Sequence, residues 1–415
     1  MHILVLNRFA LRLVPYRDYI DPAFDCTLIT SSGGVSSDPE QRARQLAGYA
    51  KAVVLDDYAN LARLEYTAHR LHAERNFDGI VAMSEYDLLT AARLRRAWGI
   101  AGQTLESTLA YRDKFLMKQT LAAAGVPVAT FAKVDHVSDL VAFIGRVGLP
   151  VVVKPRRGAG SVDVRVLRTD DDVNDFLGAG SSLTGDQPAD LQAERYIPHE
   201  MYNVDGMVIN GELRVGWPSA TTSGLLYQQG DLQRATFLEP GEAPQPDLVA
   251  LLERVLAALP TPRNTVFHAE MFRTTDGSLM LNEIGCRIGG ARVWDQFRLG
   301  FDVDLIGSVV KANYGVDRDG PVVGAKPVAL SGWAMVACPP GVVRSVPADC
   351  PVPNVWIYDS YVAAGDTIAP PVESTDAVAA FVAQGETRAA CDATLQKAVA
   401  WYQSTIEIEP ARPGG

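Results

Sequence analysis

No CxxC pair occurs among the five cysteines (Cys26, Cys286, Cys338, Cys350, Cys391), which excludes a paired-cysteine zinc site and a disulfide framework. No apolar run reaches the roughly 18 residues of a membrane-spanning helix. Basic residues are in deficit, 38 Lys and Arg against 49 Asp and Glu for a net charge of -11, which excludes a protein that tracks a nucleic-acid backbone. Any phosphate it holds must therefore be held locally. The opening MHILVL enters a strand directly, with no basic n-region, apolar h-region or cleavage site, so the expected setting is reduced and cytoplasmic. What is present is an ordinary globular composition, 47% hydrophobic and 21% charged, in 415 residues. At roughly 150 residues per domain that length implies two or three domains.

Residues 1 to about 105 alternate short apolar runs with helical patterns, the mark of a parallel α/β sheet: Ile3 to Leu6, Cys26 to Thr30, Ala52 to Leu55 and Gly79 to Met83. The last run leads into a helix that Ser84 and Asp87 can cap and Gly99 can end. A second helix is expected from about Arg112 to Ala124, with Lys114 in its first turn. From Pro150 the period changes to two. Val151 to Lys154 reads as a strand, Pro155 to Ser161 (PRRGAGS) as a glycine-rich tip, and Val162, Val164 and Val166 as the returning strand. Asn210-Gly211 predicts a hairpin turn, and Val266 to Arg273 with Ser278 to Glu283 a second hairpin. The segment 178–190 reads as an exposed loop, and the region beyond Lys326 as proline-rich strands closed by a helix near Thr387 to Tyr402.

Chemistry concentrates in three places. If Asp276-Gly277 is a two-residue turn, Glu270 and Glu283 face one another across the hairpin, their Cβ atoms about 5 Å apart. Like charges so placed destabilise a sheet unless something compensates, and a divalent cation with oxygen ligands does so. The alternatives are a longer loop with another register, or two glutamates solvated on an open face. His268 shares the face with Glu270, as a packing or orienting residue or as a ligand. Second, Gly158 and Gly160 let backbone N–H groups approach an anion, Ser161 adds a hydroxyl, and Lys154 sits in an apolar strand where its ammonium needs a charge. The alternative for that tip is a plain flexible turn. Third, Arg287 and Arg292 bracket Gly289-Gly290 directly after the second carboxylate, suited to phosphate or carboxylate, or simply offsetting an acidic neighbourhood.

Their order along the chain resembles the ATP-grasp superfamily: Arg112-Asp113-Lys114, then Val153-Lys154-Pro155 with its glycine loop, Glu194 to Ile197 (ERYI), Glu270, and Asn282-Glu283-Ile284 with Arg287. The wording SEYDLLTAARLR, HEMYNVDG and NEIGCRIGG is similar to the carboxylate–amine ligase branch, which includes L-amino acid ligases. The resemblance implies an α/β (α+β) ATP-grasp fold with a Rossmann-like N-terminal domain (1–108), an ATP-grasp core (109–325, with a lid near 127–200) and a C-terminal domain completing it (326–415). It implies that Lys114 and Lys154 contact the phosphates of ATP, that Gly158, Gly160 and Ser161 form a mobile phosphate loop, and that Glu194 accepts from the adenine amino group beside backbone contacts from Tyr196 and Ile197. Glu270 and Glu283 would ligate Mg²⁺, or Mn²⁺ in its place, and Arg287 would hold the transferred phosphate or the acyl carboxylate; Arg292 and His268 are the further catalytic candidates. The implied enzyme is a ligase of small carboxylate and amine substrates, amino acids or short peptides, working through an acyl phosphate and releasing ADP and phosphate. Neither nucleic acid nor membrane enters, and a homodimer is common in such folds. The alternatives are a carboxylating or formyl-transferring ATP-grasp enzyme of purine type, or a nucleotide-binding protein without turnover. Two positions depart from the family pattern: Gly285 stands where many members carry a metal-contacting asparagine, and Met201 where a ribose-binding glutamate often stands. The segment Ser223 to Gln229 reads as a loop that either lines the acceptor pocket or is an ordinary connection.

Overall fold

The computed structural model describes all residues except 179–182, 184–186, 222–232, 370–375 and 411–415. Its N-terminal part is the expected open parallel sheet, in spatial order Lys51–Leu55, Asp25–Ser31, His2–Asn7, Gly79–Ala82. His2–Asn7 is buried throughout, as a central parallel strand covered on both faces must be. Gly99 ends the helix Leu88–Trp98 with φ +69°, and Asp87 occupies the N-cap position without capping, its carboxylate instead accepting from Arg8 Nε at 3.2 Å.

The helix expected over Arg112 to Ala124 is Lys114–Ala123, and a separate helix, Leu105–Arg112, runs directly before it. Asp113 breaks the run. Its backbone is extended and its Oδ1 accepts from Phe115 and Leu116 N–H, which starts the second helix at Lys114. Four short antiparallel strands follow as a small sheet, ordered Phe131–Val134, Leu191–Arg195, Val151–Pro155, Arg165–Leu167. The returning strand begins only at Arg165 because Ser161 and Asp163 hold positive φ and keep the chain out of the ladder. Leu183, in the stretch read as an exposed loop, is buried in the core of this small sheet.

Apart from a separate three-stranded sheet ordered Thr367–Ile368, Gly341–Ser345, Glu407–Pro410, an eight-stranded antiparallel sheet carries the remaining strands, in the order Leu279–Gly285, Thr265–Thr274, His199–Ile209, Glu212–Thr221, Gln233–Phe237, Leu330–Val336, Ala379–Gly385, Val355–Ser360. Strands from both sides of residue 326 share it, Gln233–Phe237 pairing directly with Leu330–Val336. Period two decides its faces. Tyr202, Val204, Ala269, Met271, Leu281 and Ile284 point one way, into a core with the helix Gln245–Ala258 and with Met117 and Leu121. The opposite face carries Asn203, Asp205, His268 and Glu270, beside Met207, Ile209 and Val266, which pack into a second core. All five cysteines are free, and among the described residues no helix is long and apolar enough to cross a membrane.

Candidate active site

The polar face of the large sheet is laid out in cross-strand rows. Ser219, Asn203, Glu270 and Glu283 are successive register partners across four strands, and His268 pairs with Asp205 in the neighbouring row. Glu270 and Glu283 therefore oppose one another as the sequence predicts, but by a different route. The hairpin loop is Thr275-Asp276-Gly277, closed by Thr274 and Ser278 with Gly277 at φ +86°, so the register near the turn is one residue off the two-residue expectation. A β-bulge between Glu270 and Met271 restores it, with Asn282 as the extra residue. Between Leu281 and Ile284, both in the core, two consecutive side chains then face the site. Asn282 uses this placement to join two groups, donating from Nδ2 to Glu270 Oε2 at 2.8 Å and accepting from Lys154 Nζ at 3.2 Å.

The small sheet faces this row. Lys154, on Val151–Pro155, reaches Glu194 Oε1 at 2.8 Å, and Lys118, one helical turn beyond Lys114, reaches Glu194 Oε2 at 3.0 Å. Gln192 Nε2 donates to Glu194 Oε1 at 2.6 Å. Burial alone would raise the Glu194 carboxyl, but the two lysines outweigh it and hold the pKa at about 2. Lys154 is shifted the other way: burial lowers it, while Glu194 and Glu283 bring it above its ordinary value. The carboxylate expected to accept from the adenine amino group also anchors two buried ammonium groups. Lys114 lies 3.5 Å from Glu283 Oε2 and donates to the Gly158 carbonyl at 2.7 Å, tying the helix start to the glycine loop.

A third group comes from the N-terminal sheet. Glu85, just past Gly79–Ala82, accepts from Arg287 Nε at 2.6 Å and from Arg112 Nη1. Burial pushes its carboxyl up, but the two guanidinium groups hold it at about 2. With Nη1 of Arg287 donating to the Ile288 carbonyl at 2.9 Å, the fork is fixed from behind. Gly285 fits the same cluster: a Cβ there would lie 3.1 Å from Glu85 Oε2 and 3.5 Å from Arg287 Cγ. The position that often carries asparagine in the family pattern is crowded here, and the carboxamide comes from Asn282 instead. His268 Nδ1 is 2.7 Å from Asp205 Oδ1, and its Nε2 is 3.8 Å from Glu270 Oε1. Burial would lower its pKa, yet Asp205 and Glu270 raise it to about 9, so the ring is an imidazolium between two carboxylates at neutral pH. It positions Glu270, whose own carboxyl, raised by burial, is brought to about 2 chiefly by His268 and also by Lys154 and Asn282. Gly289 packs against the same pair, where a Cβ would meet Asp205 and His268 within 3 Å.

All these groups open on one cavity of about 450 Å³, lined by Lys114, Lys154, Gly158, Gly160, Ser161, Glu194, Tyr196, Ile197, His268, Glu270, Glu283 and Arg287. Every sequence-predicted site residue lines it except Arg292. That guanidinium is 3% exposed, bound by Asp295 at 3.1 Å and by Asp359, and does not line the cavity: it ties a helix start to the strand Val355–Ser360. Three contributors were not singled out in the sequence. Lys118 stood four residues after Lys114, hence on the same helical face; Glu85 lay in the SEYD wording; Asn282 lay in a polar pair that breaks the alternation of Leu281 to Ile284. Ser223 to Gln229 lies outside the described residues.

The donor set fits a magnesium nucleotide. Two carboxylates and a carboxamide oxygen face one another on the bulged hairpin, the oxygen ligands Mg²⁺ prefers, and Lys114, Lys154 and Arg287 stand around them as cations for phosphate.

Comparison with known proteins agrees with this construction. No protein-family profile matches the chain. It is 28% identical over 295 residues to the L-arginine-specific L-amino acid ligase of Bacillus subtilis, covering 70% of each chain. It is 30% identical over 192 residues to N5-carboxyaminoimidazole ribonucleotide synthase of Mycobacterium tuberculosis, covering 44% of this chain and 42% of that one. The solved L-amino acid ligase of Bacillus licheniformis superposes over 99% of both chains with a TM-score of 0.74 at 16% identity, a likeness of fold. Sequence relatives and fold agree: the chain has the ATP-grasp fold and is similar in sequence to ATP-dependent ligases that form C–N bonds.

Proposed function

We propose that the chain joins two amino-acid-like substrates through an amide bond, activating the carboxylate of one with ATP and receiving the amine of the other. The observation that carries this reading is the breadth of the match to the Bacillus subtilis ligase, 70% of both chains, against 44% and 42% for the carboxyaminoimidazole synthase. The site geometry supports it. Glu270 and Glu283 would hold Mg²⁺, which supplies charge neutralisation for the phosphates when bound. Lys114 and Lys154 would contact those phosphates, the backbone of Gly158 to Ser161 would cover them, and the backbone at Tyr196 and Ile197 would meet the base. In this reading Glu194 works through the two lysines it anchors. Arg287, held by Glu85 through Nε and by the Ile288 carbonyl through Nη1, would meet the substrate carboxylate or the transferred phosphoryl group with Nη2. Two anions must be brought into line for the transfer, so these residues act by positioning and by offsetting charge. The divisions at residues 1–108, 109–325 and 326–415 are offered as functional units, an α/β lobe, a nucleotide-binding core and a C-terminal part completing it.

The test is ADP and phosphate release by the purified chain with ATP, Mg²⁺ and mixtures of amino acids, with the product identified by mass. The expected product weighs the sum of two amino acids less one water. ADP release that depends on bicarbonate and aminoimidazole ribonucleotide, with none from any amino-acid mixture, would replace this reading by the carboxylating one that the 192-residue match favours.

A further inference from the structure

The cavity does not end at the charged groups. Phe9, Met83, Val293, Trp294 and Trp333 also line it, and all five belong to or pack on one hydrophobic cluster shared by the N-terminal sheet, the helix Val293–Phe301 and the large sheet. The Phe9 and Trp294 rings lie 6.5 Å apart. Two indoles in this wall are incomplete: Trp294 Nε1 and Trp333 Nε1 are buried with no hydrogen-bond partner among the described residues, and Trp333 is only 3% exposed. Asn203 Oδ1 and Gln233 Oε1, on the sheet beneath the same cavity, are likewise buried and unpartnered, Asn203 being 7% exposed. Buried donors and acceptors cost free energy when unmet, so four of them around one apolar recess point to a ligand that meets them.

We infer that this recess is the side-chain subsite for a large, uncharged amino acid; the inference rests on the ligase reading and names its substrate class. The five wall residues are apolar and bring no charge of their own, so a charged side chain would be desolvated there without a partner. A cationic substrate finds no spare acid elsewhere in the cavity among the described residues. Glu85 holds Arg287 and Arg112, Glu194 holds Lys118 and Lys154, and the more open pair Glu270 and Glu283 is the one that would hold Mg²⁺. The chain thus differs from the arginine-specific relative in the substrate it selects. The indole N–H groups suit an acceptor on the substrate, and the two amide oxygens suit its ammonium or hydroxyl.

The test uses the full chain with Mg²⁺ and nucleotide. Calorimetry with ADP present and phosphate release with ATP are compared for L-phenylalanine, L-methionine, glycine and L-arginine, each also paired with the others. Phenylalanine and methionine are expected to bind, and to turn over, at least about tenfold better than glycine or arginine, the scale on which an apolar pocket discriminates. Trp294→Ala should raise the KM for the large amino acid about tenfold and leave the KM for ATP within about twofold, and Trp294→Phe should restore most of the difference. Arginine or glycine equal to the large side chains, or a Trp294→Ala enzyme with unchanged preference, overturns the subsite. Preferential binding of the large amino acids with no ADP from any pair keeps the subsite and removes the ligase reading. Turnover that favours arginine does the reverse, and neither binding nor turnover removes both.

Discussion

Lys154 and Glu194 of the small sheet and Lys118 of the helix Lys114–Ala123 enclose one another, with side-chain exposures of 7%, 4% and 0%, whereas on the large sheet Glu270 and Glu283 keep 23% and 25% of theirs and open on the cavity. Both regions gather charge at the same place. In the first the charges are balanced within the protein by bonds of 3.0 Å or less. In the second the charged partners are fewer and farther off, 3.5 Å from Lys114 to Glu283 and 3.8 Å from His268 to Glu270, which leaves carboxylate lone pairs for an incoming cation. The closed cluster fixes where two ammonium groups sit; the open pair is where a ligand completes the charge. Sharing of Asn282 between Lys154 and Glu270 couples the two.

That contrast can be broken at either end. The largest effect is expected at the closed cluster: Lys118→Met removes half of the cation support of a buried carboxylate and should lower unfolding free energy by about 3 kcal/mol in urea titration. A change within a few tenths would mean that Lys154 alone suffices. At the open pair, Glu283→Gln should leave the urea midpoint close to the parent and lower ADP formation by about a hundredfold or more, roughly 2.7 kcal/mol of barrier; turnover like the parent would remove the hairpin from the chemistry. Asn282→Ala tests the coupling, with a loss of about 1–3 kcal/mol in stability and a weaker nucleotide affinity, since it leaves Lys154 and Glu270 each short of a partner. Loss of stability with unchanged nucleotide affinity would uncouple the two regions.

The smallest effect is in pH, and its sign differs between groups. Glu85, Glu194 and Glu270 are depressed to about 2 from an ordinary 4.5, so their contribution is full above 4.5 and is lost as the pH falls towards 2. His268 is raised to about 9 from 6.5, so its contribution is full below 6.5 and is lost as the pH rises through 9. The urea midpoint should therefore sag on both sides of a plateau between about 4.5 and 6.5. A midpoint that climbs steadily from pH 7 to pH 10 would contradict the imidazolium placed between Asp205 and Glu270.

Much of this site could be read along the chain, because local rules set it. Alternation in Thr265–Thr274 and Leu279–Gly285, and the Asp-Gly turn signal, were enough to set Glu270 against Glu283. The pairing held although the loop is a residue longer, since the bulge at Asn282 cancels the difference. Lys154 was legible as a charge in an apolar strand, and the glycine tip by composition. Arg292 was misplaced because an arginine beside two glycines looks the same in sequence whether it turns to the cavity or, as here, to Asp295 and Asp359. Residue 359 is too distant along the chain for any local pattern to reveal.

By itself the sequence determined the order of elements, the two carboxylates on one strand face and the residue types able to hold a phosphate, since strand period, turn chemistry and the cost of a buried charge act over a few residues. Tertiary structure alone decided which charges neutralise one another. Glu85 reaches Arg287 across 202 residues and Lys118 reaches Glu194 across 76, and only the packing of three sheets around one cavity brings those groups within the few ångströms over which ion pairing in a low-dielectric interior outweighs desolvation.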